Sequence, residues 1–159
     1  VDNHFTHLDA TGRPGMVDVS GKEPTQRRAV AECFVDLPPA VLDRLENGDI
    51  VLPKGPVFQT AVLAGIMGAK QTGALIPLCH PLGLDQCDVR IGVEKGRIRI
   101  ECTASVMART GVEMEALTAV SVAALTVYDM CKALSHDIVV NQIRLIEKTG
   151  GKKDFRRSD

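Results

Sequence analysis

At 159 residues, with 45% hydrophobic and 25% charged residues, the chain is expected to form one domain with a substantial core. A formal net charge of -1 and only 3% aromatics argue against nucleic-acid binding and against a membrane-surface role. The 5 cysteines form no C-x-x-C pair, which suits a reducing cytoplasm, and neither a bilayer-spanning apolar run nor a signal peptide is read.

The chain begins at Val1 rather than Met, so a few native residues are expected before it. Residues 1–15, with Gly12, Pro14 and Gly15, read as an N-terminal arm with little structure of its own. Val30 to Val35 is a β-prone run and a candidate strand. Asp36 precedes a helix with Pro38 and Pro39 in its first turn and Gly48 at its end. From Pro56 to Lys70 the residues Phe58, Val62, Ile66 and Ala69 recur at helical spacing, and Gly73 is placed to close that helix. Cys87 to Val93 and Arg97 to Ala104 both alternate. In the second, Ile98, Ile100 and Cys102 point one way while Arg97, Arg99, Glu101 and Thr103 point the other. Glu94-Lys95-Gly96 joins the two as a hairpin. Val112 to Leu134 is alanine-rich and free of Gly and Pro, a single long helix; Ile138 to Ile146 is a final strand.

Counting the first two helices as one crossover, this order gives an α+β fold, a ferredoxin-like β-α-β-β-α-β sandwich with an antiparallel sheet and helices on one face. The other face would be solvated or covered by a second subunit. No repeat, low-complexity segment or linker divides the chain, so a single domain is read over residues 1–159, with residues 148–159 as a basic, glycine-rich tail.

Cys79 and His80 lie between Pro77 and Pro81. Each proline fixes its own φ and keeps its predecessor out of the helical region, so the pair should sit on a stiff loop. Two readings stay open: a site built on a rigid loop, or a buried turn with a satisfied histidine. Structural zinc is disfavoured, because no other cysteine supplies a paired spacing. A Cys-His nucleophile pair is disfavoured too, since neighbours on an extended chain point opposite ways. On the long helix, Asp129 and Lys132 form an i,i+3 pair. It is either a surface ion pair or, if desolvated, a general acid–base lysine oriented by its carboxylate. The apolar Val127, Met130 and Cys131 around it favour the second reading. Glu113 and Glu115 either complement the helix dipole or face a ligand. Glu115 and Lys132 are 17 residues apart, about 25 Å along a helix. One compact pocket in one chain cannot use both, so they are either two features or opposite ends brought together by two subunits. Lys148-Thr149-Gly150-Gly151-Lys152-Lys153 suits a polyphosphate but is not a Walker A loop, and a solvated basic end is the alternative. Arg27 and Arg28 form a second basic cluster with the same ambiguity.

Taken together, the segments resemble one family. They are Phe5-Thr6-His7-Leu8-Asp9, Met16-Val17-Asp18-Val19-Ser20, Lys54-Gly55-Pro56-Val57-Phe58 and the loop Leu75 to Leu82. Thr110 to Thr118, Tyr128-Asp129-Met130-Cys131-Lys132 and Lys148-Thr149-Gly150-Gly151-Lys152 complete the set. They are similar to the cyclic pyranopterin monophosphate synthase family of molybdenum-cofactor biosynthesis, the accessory protein C. The resemblance implies a cytoplasmic lyase, a homohexamer built as a trimer of dimers with active sites at the dimer interface. It implies a small-molecule substrate, 3′,8-cyclo-7,8-dihydroguanosine 5′-triphosphate, converted to a cyclic pyranopterin monophosphate with release of pyrophosphate. By the same resemblance Lys132 and Lys54 transfer protons and Asp129 positions Lys132. Leu78, Cys79, His80, Met114 and Glu115 would line the pocket for the base-derived part, supported by Glu113. Lys22, Arg27, Lys148 and Lys152 would neutralise the triphosphate. No cofactor is required and no metal ligands are assigned, although magnesium could accompany the phosphates. The runner-up is a ferredoxin-like module that binds a nucleotide or metabolite without chemistry; a hexameric scaffold comes third.

Overall fold

The computed structural model describes residues 6–158; residues 1–5, including Phe5 and the start of the expected arm, lie outside it. In chain order the elements are β1 (Thr25–Asp36), α1 (Pro39–Leu42), β2 (Leu45–Glu46), β3 (Asp49–Leu52), β4 (Gly55–Pro56), α2 (Val57–Lys70), α3 (Thr72–Leu75), β5 (Gln86–Glu94), β6 (Arg97–Ala108), α4 (Glu113–Cys131), β7 (Val139–Thr149) and β8 (Phe155–Arg156). The main sheet runs β5-β6-β1-β7-β8, every neighbouring pair antiparallel. The expected α+β layering, an antiparallel sheet with helices against it, is present.

Strand alternation decides which face is covered. Ala29, Ala31, Cys33 and Val35 of β1 and Ile98, Ile100, Cys102 and Ala104 of β6 are all fully buried, and they face α2 and α4. The opposite face is polar. Glu32 is buried there between Arg99 and Arg144, each 2.7 Å away. Burial alone would raise its carboxyl, but hydrogen bonds from Arg144 and Arg99 outweigh that and hold it low.

α2 and α4 meet through small residues. A methyl group added at Gly68 would lie 2.8 Å from Cγ2 and 2.9 Å from Cβ of Val122. Gly68→Ala gains helix propensity, about 1 kcal/mol, yet it overpacks a stiff β-branched neighbour, at a cost of about 1–3 kcal/mol. We expect a lowered urea midpoint for Gly68→Ala, restored in Gly68→Ala/Val122→Ala. An unchanged midpoint in the single variant would mean the helices slide apart freely.

Several expectations are corrected. The helix after Asp36 does not reach Gly48: it is the short α1, after which β2 and β3 form a hairpin. Asn47 (φ 51°) and Gly48 (φ 82°) both take the positive φ that such a two-residue turn requires. Asp36 does precede α1, and it ends β1, where Arg97 Nε donates to it at 2.5 Å. α2 ends at Lys70 rather than at Gly73, which lies inside α3 against Pro81. The described part of the arm is folded: Leu8 bridges Pro14, and Asp9 Oδ1 accepts from the Thr11 and Arg13 N–H groups. The basic tail turns back, and Phe155 and Arg156 pair with Lys148 and Glu147. Gly150 makes that turn possible. It has φ 85°, and a Cβ there would sit 1.8 Å from the Gln26 carbonyl oxygen. Finally, α4 is by length and hydropathy apolar enough to cross a bilayer, contrary to the sequence reading, but half of that stretch is buried within the domain. It is the core helix, packed on β1, β6, β7 and α2.

Candidate active site

The N-terminal end of α4, the Pro-bracketed loop, the end of β7 and the segment before β1 enclose a cavity of about 700 Å³. Every residue expected to bind substrate lines it: Lys22, Arg27, Leu78, Cys79, His80, Glu113, Met114, Glu115, Lys148 and Lys152. The loop is rigid for the reason its prolines gave, and a Cys79 N–H to Ile76 carbonyl bond of 3.1 Å closes its turn. His80 is both half-buried and satisfied: its Nε2 lies 2.8 Å from the Val17 carbonyl. A carbonyl only accepts, so Nε2 carries the hydrogen of this bond.

The cavity carries more cations than carboxylates. Lys22, Arg27, Arg109, Lys148, Lys152 and Lys153 are cationic, while Glu113 and Glu115 are the carboxylates. Lys148 Nζ bonds Glu113 Oε1 at 2.9 Å, which ties the β7 end to α4. Glu115 is 3% exposed, and its carboxyl is pushed up by burial and then by the Glu113 charge, against an opposing bond from its own N–H. Burial, Glu115 and Glu113 likewise raise the Cys79 thiol, so it is held as the thiol rather than as a nucleophilic thiolate.

The sign of the Glu115 shift has a consequence for stability. A carboxyl raised by folding favours the folded state below its unfolded value, near pH 4.5, and loses that contribution as pH rises through its folded value. Glu115→Gln should therefore raise the melting temperature at pH 7–8, with the gain fading below about pH 4.5. Thermal scans across pH check this; a gain that grows toward acid would contradict it.

The catalytic candidates lie elsewhere, at the C-terminal end of α4. Lys132 Nζ is 2.7 Å from Asp129 Oδ1, and Lys54 Nζ is 3.4 Å from Asp129 Oδ2 and 3.1 Å from its carbonyl oxygen. Lys54 reaches Asp129 because it sits in the turn between β3 and β4. That hairpin is anchored by Asp49, whose Oδ1 accepts from the Phe58 N–H at 2.7 Å and caps α2. The expectation that apolar neighbours desolvate the Asp129–Lys132 pair is corrected. Val127, Met130 and Cys131 are buried on the core side of the helix, whereas the Asp129 and Lys132 side chains are 58% and 47% exposed. Hydrogen bonding to Lys132, then to Lys54, lowers Asp129, and the Asp129 hydrogen bond raises Lys132. The cluster is therefore a charged, solvated triad in this chain, about 25 Å from the cavity by helix length.

Sequence reasoning missed Arg109. Its Nε donates to the Lys22 carbonyl at 2.7 Å, and its own carbonyl accepts from Arg27 at 3.3 Å, so it holds two predicted cations in place. It directly precedes the quoted Thr110-Gly111, and that adjacency was the available signal. Arg28, grouped in sequence with Arg27, instead pairs with Glu147 away from the cavity. Among the described residues no three His, Cys, Asp or Glu side chains assemble a metal site.

Comparison with known proteins adds an independent line. Residues 16–151 match the model of the MoaC family. The chain is 52% identical over 159 residues to a molybdenum cofactor biosynthesis bifunctional protein of Synechocystis sp.; the match covers 97% of the chain and only 46% of that relative. It is 48% identical over 162 residues to a cyclic pyranopterin monophosphate synthase of Desulfovibrio desulfuricans, across 100% of the chain and 98% of the relative.

Proposed function

The chain belongs to the MoaC family, and from that premise we propose that it is a cyclic pyranopterin monophosphate synthase acting in molybdenum-cofactor biosynthesis. The observation that carries this reading is the excess of cations in one cavity, six cationic side chains against two carboxylates. The substrate has groups for both kinds of side chain: a triphosphate, joined to a guanine-derived ring system rich in N–H donors. Lys22, Arg27, Lys148 and Lys152 take the triphosphate, with Arg109 behind them. Glu113 and Glu115 accept from the ring, and Leu78, Cys79, His80 and Met114 shape the wall. Magnesium would enter as the counter-ion of the phosphates. Lys132 and Lys54 move protons during the skeletal rearrangement, and Asp129 holds both. Since these stand at the far end of α4, the working site is completed by a second copy of the chain, within a hexamer of three dimers in the cytoplasm. The test is direct: purified protein given the cyclic guanosine triphosphate intermediate should release pyrophosphate and form the cyclic monophosphate. Binding without product would favour the non-catalytic module instead.

The phosphate side can be tested separately. Lys148→Ala/Lys152→Ala should weaken binding of the triphosphate at least about tenfold, with each lost charge-assisted contact worth about 1.5–3 kcal/mol. A dephosphorylated analogue should bind almost as before. Added salt should reproduce part of the loss, because the two lysines are partly solvated. Equal losses for both ligands would remove the phosphate role from this loop.

A further inference from the structure

Outside the cavity, Cys87 and Cys102 face each other on the helix-covered side of the sheet, Sγ to Sγ 3.8 Å. Cys87 stands opposite Ala104 and Cys102 opposite Val89, so the pair is one diagonal step apart across β5 and β6. Cys102 is fully buried. Cys87 is half-buried and opens into a separate cavity of about 460 Å³, lined also by Lys70, Leu82 and Leu84. The other thiols differ from Cys87. Burial pushes Cys33 up to about 12 and Cys131 up to about 11, and Cys79 is raised by burial and two carboxylates. Cys87 moves down, because Cys102 hydrogen-bonds it and the Lys70 ammonium assists; burial and Asp88 oppose without prevailing.

We propose that Cys87 and Cys102 form a peroxide-reactive dithiol, oxidised by hydroperoxides to an intramolecular disulfide. The Cys87 thiolate attacks one peroxide oxygen and the O–O bond breaks. The departing alkoxide, or hydroxide from hydrogen peroxide, takes up a proton and leaves as alcohol or water. Cys87 has then lost two electrons and is a sulfenic acid, and the peroxide has gained them. Cys102 sulfur attacks Cys87 sulfur; its proton and the sulfenic hydroxyl leave as water, and the S–S bond forms. The sulfurs must close from 3.8 Å to about 2.05 Å. β5 is a sheet edge, with a partner on one side alone, so it can shift to allow this. Leu82 lines both cavities, so the bond would form at the root of the loop that carries Cys79 and His80.

The test treats the full chain with hydrogen peroxide at neutral pH, alkylates what remains and maps the peptides without reductant. The expected result is one disulfide-linked pair, Cys87 to Cys102, with 3 of the 5 thiols left free and all recovered by dithiothreitol. Cys102→Ala removes the resolving thiol, so dimedone should trap Cys87 as its sulfenic acid. Cys87→Ser should slow peroxide-dependent thiol loss at least about tenfold. Oxidation that starts at Cys79 would overturn the proposal, as would a reduced Cys87 in wild type when the same peroxide consumes glutathione in a parallel tube. The wild-type map decides the matter even if a variant fails to fold.

Discussion

Lys132→Ala is expected to abolish turnover while the protein still folds and assembles. The two halves of that statement have different causes. The ion pair with Asp129 is half-exposed, and a solvent-screened surface pair adds little to stability, so removing it should barely move the melting temperature. The chemistry is more exposed to the change. Asp129 raises Lys132, so the lysine enters the reaction charged and able to give a proton, and a positioned acid or base is worth about 10²–10⁴ in rate. Lys132→Arg is the sharper variant. A guanidinium can keep the pairing with Asp129, but it does not deprotonate near neutral pH. We expect it to be nearly as inactive as the alanine variant, with ligand affinity within a few-fold of wild type. Pyrophosphate release, a thermal scan and sedimentation of each variant decide this. Near-normal turnover with arginine would reduce Lys132 to an electrostatic role, and unchanged turnover with alanine would leave the chain a binding module.

The hairpin β5–β6 and the helix α4 were legible because their signals are local: alternation across a Lys95-Gly96 turn, and a long stretch without breakers. The small sheet β2–β4 was not, because Pro38 and Pro39 signal a helix start and the Asn47-Gly48 turn joins strands of only 2 and 4 residues, too short to show alternation. That shortness hid the reason Lys54 is where it is. In the site, the loop residues and the acidic start of α4 were legible by type and by family resemblance, and all of them face one cavity. Arg109 was not, because its role is to hold the backbone of Lys22, a contact across 87 residues that no local pattern carries. The exposure of Asp129 and Lys132 was misread for a geometric reason. Met130 and Cys131 adjoin them in sequence, but each step along a helix turns about 100°, so sequence neighbours face different ways. The distance between the two ends of α4 is legible all the same, because rise per residue does not depend on which side is buried.

The second large effect concerns that length. Glu115→Gln and Lys132→Ala should each be inactive alone, yet mixing them should restore activity. Glu115 lies in the cavity at one end of α4 and Lys132 outside it at the other, so one chain cannot bring both to one substrate. If two chains related by a twofold axis complete each other's sites, a mixed dimer carries one site with both native residues and one with neither. Random exchange makes half of all dimers mixed, so about a quarter of wild-type activity should return. The variants suit the purpose. Glu115→Gln removes a buried charge whose ionised form opposes folding, and Lys132→Ala alters a solvated position, so both should fold and exchange. Mild denaturant or co-expression would supply the exchange, and tagged chains would report how many dimers are mixed. Activity that rises with the mixed fraction is the expected result. Mixed dimers with no activity, or full activity in a monomer at assay concentration, would mean that Glu115 and Lys132 do not serve a shared site built from two chains.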